Sequence, residues 1–218
     1  MQFSSIILAA GSGKRTGLKT NKVLYEIKGK TVLDYSIETF ANHRSNSEII
    51  LVVSGNDHDF FINHYSDKVD KIVIGGAERQ DSVFNALSEA KSDYVVIHDG
   101  ARPFIPLNAL DDISSNIESE KSITLGVMVK DTIQRVVGKR VVETLKRDEL
   151  IHTQTPQAFH RALLIDAHKK ASKSGFKGTD DTSLMEKFCD IKAFVVEGDY
   201  RNIKLTTLDD IKLLEVIL

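Results

Sequence analysis

Phe3-Ser4-Ser5-Ile6-Ile7-Leu8-Ala9-Ala10-Gly11-Ser12-Gly13-Lys14-Arg15-Thr16-Gly17 opens the chain and decides how the rest is read. Phe3 to Ala9 is a mostly apolar run of strand length, as expected of a strand buried on both faces. It empties into a glycine-rich turn. Glycines just past a buried strand let backbone N–H groups turn toward an anion. Lys14, Arg15, Lys19 and Lys22 follow within a dozen residues, so mobile cations join the fixed donors. A turn without a ligand is the plain alternative, and this cluster of cations weighs against it.

Two common phosphate loops do not fit. The Walker pattern needs a Gly five residues before Gly-Lys-[Ser/Thr]. Here Leu8 stands at that place, and Arg15 follows Gly13-Lys14. The dinucleotide pattern Gly-x-Gly-x-x-Gly needs a third Gly where the chain has Thr16, and an acid closing the second strand, which is read to end at Ser54.

Outward from this turn, apolar runs alternate with stretches of helical spacing. Strands are expected at Ile49 to Ser54, Lys71 to Ile74, Tyr94 to His98, Ile123 to Val129 and Ala193 to Val196, with a short one carrying Lys204 between Asn202 and Thr206. Helices are expected at Thr31 to Ala41, Phe60 to Tyr65, Arg79 to Ala90, Leu107 to Glu118, Ala162 to Lys173, Asp181 to Phe188 and Leu208 to Ile217. Such alternation argues for a three-layer α/β domain, a mostly parallel sheet with helices on both faces. The rhythm breaks once. Ile133 to Val137 and Val141 to Leu145, joined by Gly138-Lys139-Arg140, read as a polar hairpin with little core to cover. It is expected to project as an arm at about 131–147 and pack on another subunit; a plain surface hairpin is the alternative. The Thr155-Pro156 step is read either as a structural turn or as part of a site.

At 218 residues the chain suggests one domain, 1–218. A 41% hydrophobic content supports a real core. The net charge of -2 argues against a general nucleic-acid binder. The only cysteine, Cys189, excludes an internal disulfide and a cysteine-rich zinc site, and reads as a buried free thiol. The N-terminal apolar run is too short for a membrane span and lacks a charged leader. A cytoplasmic protein without membrane contact is expected.

Taken together, several segments are more specific. They are Leu8 to Arg15 with Lys22, Gly75-Gly76-Ala77-Glu78-Arg79-Gln80-Asp81-Ser82-Val83, and His98-Asp99-Gly100-Ala101-Arg102-Pro103. Lys130-Asp131-Thr132, Gln154-Thr155-Pro156-Gln157-Ala158-Phe159, Thr179-Asp180-Asp181 and Asn202-Ile203-Lys204-Leu205-Thr206 complete the set. In this order, over nearly the whole chain, they resemble the 2-C-methyl-D-erythritol 4-phosphate cytidylyltransferases, and more broadly the sugar-phosphate nucleotidyltransferases with their Rossmann-like sheet.

The resemblance implies transfer of a cytidylyl group from CTP to a sugar-alcohol phosphate, with Mg²⁺ or another divalent cation and with a homodimer. It gives Arg15 and Lys22 the catalytic role of neutralising the α-phosphate and the leaving pyrophosphate. It gives Ala9, Ala10, Gly11, Gly13, Gly75, Gly76, Ser82 and Gly100 to the nucleotide, although Ser82 serves equally well as a helix N-cap. Asp99 is implied near the sugar and the metal, with a structural Asp bonded to Arg102 or to turn amides as the alternative. Arg102, Thr132, Arg147 and Lys204 form the acceptor set. Thr132 and Arg147 lie at the base of the expected arm, so they, and Arg102 with them, are expected to reach a neighbour's site. His98 reads as a satisfied core histidine, Arg79 as an organiser of its loop, and Asp180-Asp181 as a helix cap rather than a metal site. A D-ribitol 5-phosphate cytidylyltransferase and a non-catalytic CTP sensor are the rival functions.

Overall fold

A computed structural model describes residues 1–11 and 21–218. The elements run β1 (Phe3–Leu8), a 3-10 turn (Lys22–Leu24), a two-stranded ribbon of β2 (Glu26–Ile27) and β3 (Lys30–Thr31), α1 (Val32–Ala41), β4 (Asn46–Val53), α2 (His58–Tyr65), β5 (Lys71–Ile74) and α3 (Arg79–Leu87). They continue with β6 (Tyr94–Asp99), α4 (Leu107–Glu120), β7 (Ser122–Met128), β8 (Gln134–Val137), β9 (Arg140–Thr144), a second 3-10 turn (Arg147–Glu149) and β10 (Ile151–His160). The last are α5 (Arg161–Ser174), α6 (Asp181–Cys189), β11 (Phe194–Glu197) and α7 (Leu208–Ile217).

Seven strands form one sheet in the order β11-β7-β10-β6-β1-β4-β5. Strand residues alternate between its two faces. Ile7, Leu51 and Val96 pack with α1, α4 and α7, while Ile6, Ile50, Val52 and Ile97 pack with α3, α5 and α6. The apolar runs are therefore continuous because both faces are covered. Local signals agree: Thr31 and Asp34 form a reciprocal capping box that starts α1.

The strand expectations miss β10. It lies between β6 and β7 and is antiparallel to both. Its pairing with β7 jumps from Gln154–Leu125 to Gln157–Thr124, so Thr155-Pro156 forms a bulge inside a central strand. Proline has no N–H to give the ladder, and a bulge is one place where a sheet accepts it. Read alone, Pro156 argues for a turn, and that is why the strand is hidden. Similarly, Asn202 to Thr206 forms no strand; the segment is pinned by Leu205 N donating to Ala101 O and by Asn202 Nδ2 donating to Thr155 O.

The hairpin appears where expected. Every residue of β8 and β9 is exposed. It is less polar than expected, for Val136, Val137, Val141 and Val142 all stand in solvent. Cys189 is a free thiol, only partly buried. Among the described residues no helix is long and apolar enough to cross a membrane.

Phe159 is fully buried and anchors β10 against α5 and its neighbours. Phe159→Ala should therefore lower unfolding free energy by about 3–5 kcal/mol, read as a shifted midpoint in urea denaturation.

Candidate active site

The site lies at the carboxyl ends of β1 and β6, where open α/β sheets bind ligands. Here a cavity of about 520 Å³ opens. One wall is the end of β1: Leu8, Ala9, Ala10 and Gly11. The facing wall is the loop Gly76-Ala77-Glu78 with Arg79 and Ser82 of α3. Lys22, Asp99, Lys204 and Thr206 bring the charged and hydroxyl groups.

Each wall has a local cause. Ala9 N donates to Val52 O, extending the β1–β4 ladder by one residue. Asn21 Nδ2 donates to Ala9 O at 2.9 Å, and Asn21 Oδ1 caps the 3-10 turn that carries Lys22. Lys22 Nζ donates to Leu205 O at 2.7 Å, tying that turn to the chain's C-terminal segment. On the other wall Glu78 caps α3, with Asp81 closing the box. Ser82 is thus not the cap. Its Oγ accepts from Gly76 N and donates to Glu78 O, both at 3.0 Å, and so shapes the loop. A Cβ on Gly76 would collide with Asp81.

Asp99 ends β6 and sits at the centre of the charge pattern. Its Oδ2 accepts from Lys204 Nζ at 2.6 Å, and its Oδ1 lies 3.5 Å from Arg79 Nε. Burial would raise the carboxyl, but Arg79 and Lys204 hold it well below the usual carboxylate range. Arg79 also donates to Asp181 Oδ2 at 2.7 Å. The structural alternative for Asp99 named Arg102 as partner; Lys204 and Arg79 take that place, while Arg102 Nη1 donates to Asn202 O at 2.6 Å. Nor does a turn amide take that role: among the described residues the Asp99 carboxylate accepts from Lys204 and Arg79.

The fold thus gathers Ala9, Ala10, Gly11, Lys22, Gly76, Ser82, Asp99 and Lys204 around one cavity. Gly75 stands directly behind it, against Ser82. Gly100 packs behind Asp99, where a Cβ would lie 3.1 Å from Leu8 O and from Leu33 Cδ1. Arg102 does not line the cavity. Thr132 and Arg147 are exposed at the base of the hairpin, and Arg147 Nη1 donates to Lys130 O. Gly13 and Arg15, with Lys14 and Lys19, lie outside the described residues. The residue most under-read is Arg79. Its two carboxylate partners lie 20 and 102 positions away, and no local pattern announces the second.

His98 is a core histidine, as expected. Its Nε2 faces Arg102 O and its Nδ1 faces Thr155 Oγ1. The helix-cap reading holds for Asp180, whose Oδ1 accepts from Ser183 N at the start of α6, but not for Asp181, whose carboxylate is buried against Arg79 and His168.

A carboxylate flanked by two cations lies between the carboxyl end of β1 and a glycine wall, in a charged cavity of the nucleotidyltransferase kind. The comparisons agree. The family model for IspD, 2-C-methyl-D-erythritol 4-phosphate cytidylyltransferase, matches residues 3–218. A 2-C-methyl-D-erythritol 4-phosphate cytidylyltransferase from Bacillus velezensis is 40% identical, over 100% of this chain and 96% of that one. The one from Dictyoglomus thermophilum is 43% identical, over 98% and 95%. A 4-diphosphocytidyl-2C-methyl-D-erythritol synthase structure from Anaerococcus prevotii superposes with a TM-score of 0.88 at 32% identity, covering 99% of this chain and 95% of that one. The chain belongs to the 2-C-methyl-D-erythritol 4-phosphate cytidylyltransferase family, and its fold is the family's mostly parallel α/β sheet.

Burial lowers the His98 pKa from 6.5 to about 4. The unfolded chain then binds the extra proton first as pH falls, so this contribution is present above pH 6.5 and lost toward pH 4. Between pH 6.5 and 4.5 the loss should be about 2 kcal/mol. Urea denaturation at both values should show it, and His98→Asn should flatten that difference.

Proposed function

We propose that the chain joins CTP to 2-C-methyl-D-erythritol 4-phosphate, giving 4-diphosphocytidyl-2-C-methyl-D-erythritol and pyrophosphate. The observation that carries this reading is the cavity itself: Lys22, Lys204 and Asp99 line it together with Ala9-Ala10-Gly11 at the end of β1 and the glycine loop, in a chain matched to the family from residue 3 to 218. A phosphate oxygen of the acceptor attacks the α-phosphorus of CTP. The bond from that phosphorus to the bridging oxygen breaks, and pyrophosphate leaves with the electron pair. A phosphomonoester has a second pKa near 6, so the nucleophile is already mostly dianionic at pH 7 and needs no general base. The barrier is the approach of an anion to a triphosphate, and neutralisation and positioning lower it.

Lys22 and Arg15 neutralise the phosphates. Main-chain groups of Ala9 to Gly11, Gly13 and the Gly75-Gly76 loop receive the nucleotide, with Ser82 holding that loop in shape. Cytosine presents an N4 donor where uracil presents a carbonyl, so a fixed backbone acceptor there rejects UTP. Lys204 serves the acceptor phosphate in this cavity; Arg102, which does not line it, serves the acceptor in a partner's site together with Thr132 and Arg147.

Mg²⁺ takes one or two carboxylates and completes its shell with substrate phosphate oxygens and water. Among the described residues no three acidic, histidine or cysteine side chains cluster for a metal. Asp99, ionised and at the cavity wall, supplies the single carboxylate such a site needs. The residues therefore fit the ion, and Asp99 would hold it beside the triphosphate. When bound, the ion adds positive charge at the phosphate oxygens.

The domain is 1–218, and the hairpin at about 131–147 is the dimer arm. Four exposed valines on an otherwise solvated ribbon favour a second copy as its cover. Thr132 and Arg147, being remote from their own cavity, then serve the partner's.

Pyrophosphate release with Mg²⁺ should require CTP and methylerythritol 4-phosphate together. Neither UTP nor D-ribitol 5-phosphate should replace them. Lys22→Met and Lys204→Met should each reduce kcat/KM by roughly 10²–10³-fold, on the scale of one lost preorganised donor. CTP binding with no turnover on either acceptor would instead mark a sensor.

Composite sites have a separate consequence. Arg147→Ala and Lys22→Met chains, each inactive alone, should recover activity when refolded together, because a mixed dimer holds one intact site. Size-exclusion chromatography with scattering should show the dimer. No recovery from a mixed dimer would sink the shared-site reading.

A further inference from the structure

Arg79 opens α3 at the cavity's edge and reaches in two directions. Its Nε lies 3.5 Å from Asp99 Oδ1, and its Nη1 donates to Asp181 Oδ2 at 2.7 Å. The other oxygen of Asp181 lies 3.2 Å from Nε2 of His168 on α5. The Asp181 and His168 side chains are 1% and 2% exposed, and neither lines the cavity. Five side chains thus form one chain of polar contacts from the site into the layer behind it: Lys204, Asp99, Arg79, Asp181 and His168.

The local fold does not call for this arrangement. Asp180, the residue before Asp181, caps α6. Burying a carboxylate is expensive, and buried ion pairs are often no more stable than an apolar filling of the same shape. What the arrangement does supply is direction. A guanidinium is a rigid planar fork, so fixing one terminal nitrogen sets where Nε points. Asp181 fixes that nitrogen, and the buried His168 ring, its Nε2 3.2 Å from the other oxygen, stands in the way of the carboxylate's turning. Arg79 also directly follows the Gly76-Ala77-Glu78 wall, so its placement carries to the loop that faces the nucleotide.

We propose that Asp181 and His168 are positioning residues for the nucleotide half of the site, acting through Arg79 on Asp99 and on the Gly76–Glu78 wall. The inference rests on the cytidylyl-transfer reading above. It assigns the buried pair a role in CTP affinity, although neither residue meets the nucleotide.

CTP is titrated calorimetrically, with Mg²⁺, into the wild type and into Asp181→Asn, His168→Ala, His168→Gln and the Asp181→Asn/His168→Ala double variant. Asp181→Asn should raise Kd at least fivefold, while kcat at saturating CTP stays within threefold. His168→Ala should raise Kd in the same direction, and His168→Gln, which keeps an N–H for Asp181, should restore it. The double variant should bind no worse than Asp181→Asn alone, because both changes release one group. A folded Asp181→Asn with less than a fivefold change overturns the proposal, as do independent, additive effects in the double variant. If Asp181→Asn does not fold, the His168→Ala and His168→Gln pair decides on the same readout. Failure of the wild type to bind CTP would overturn the functional reading, and this inference with it. Normal wild-type binding with unmoved variants overturns this inference alone.

Discussion

A carboxylate placed at the end of a central strand has to be paired, and Asp99 sets that demand on the whole molecule. Its side chain is only 12% exposed, yet it is held ionised. An unpaired charge there would be prohibitive. The two cations that answer come from opposite directions: Lys204 from the C-terminal segment and Arg79 from the first turn of α3. Meeting the demand brings the segment from Lys204 to Thr206 to the mouth of the first strand. Lys22 reinforces the closure by donating to Leu205 O. The cavity is what is left between these tethers.

The same pairing shapes the chemistry. Lys204 and Arg79 are engaged before any substrate arrives, so their charges are oriented in advance rather than recruited. Preorganised charge in a partly enclosed site acts without reorganisation at the moment of reaction. Asp99 keeps those cations in place and stays ionised itself, so the site holds both signs of charge. Such a cavity takes in a polyanion while still offering an acceptor to a hydroxyl or a cation.

How much of this the sequence discloses depends on the range of the interaction. Phe3 to Ala9 declares the first strand because both its faces are buried, and Gly11 and Lys22, singled out from the glycine-rich turn and its cations, line one cavity. The elements around Ile49, Tyr94 and Leu107 follow from periodicity alone. β10 does not, for Pro156 is a turn signal locally and a bulge residue only once β6 and β7 flank it. Arg79 reads as a loop organiser because Asp181 is distant along the chain. Asn202 to Thr206 is expected as a short strand, but its hydrogen bonds go to Ala101 and Thr155 rather than to a ladder. Local chemistry was legible; partners supplied by tertiary closure were not.

The position of β10 also governs how the polypeptide leaves the ribosome. β6 and β7 are complete by Met128, yet the strand that joins them ends only at His160. Until it arrives, the nascent chain displays two central strands with bare hydrogen-bonding edges, and the hairpin with its four exposed valines emerges in that same interval. Unpaired edges and bare apolar side chains invite pairing with other chains. The middle of this sheet therefore closes after the strands on either side of it have been made, with only the edge strand β11 still to follow. A chain broken off between residues 128 and 150 would be a sticky fragment rather than a smaller domain.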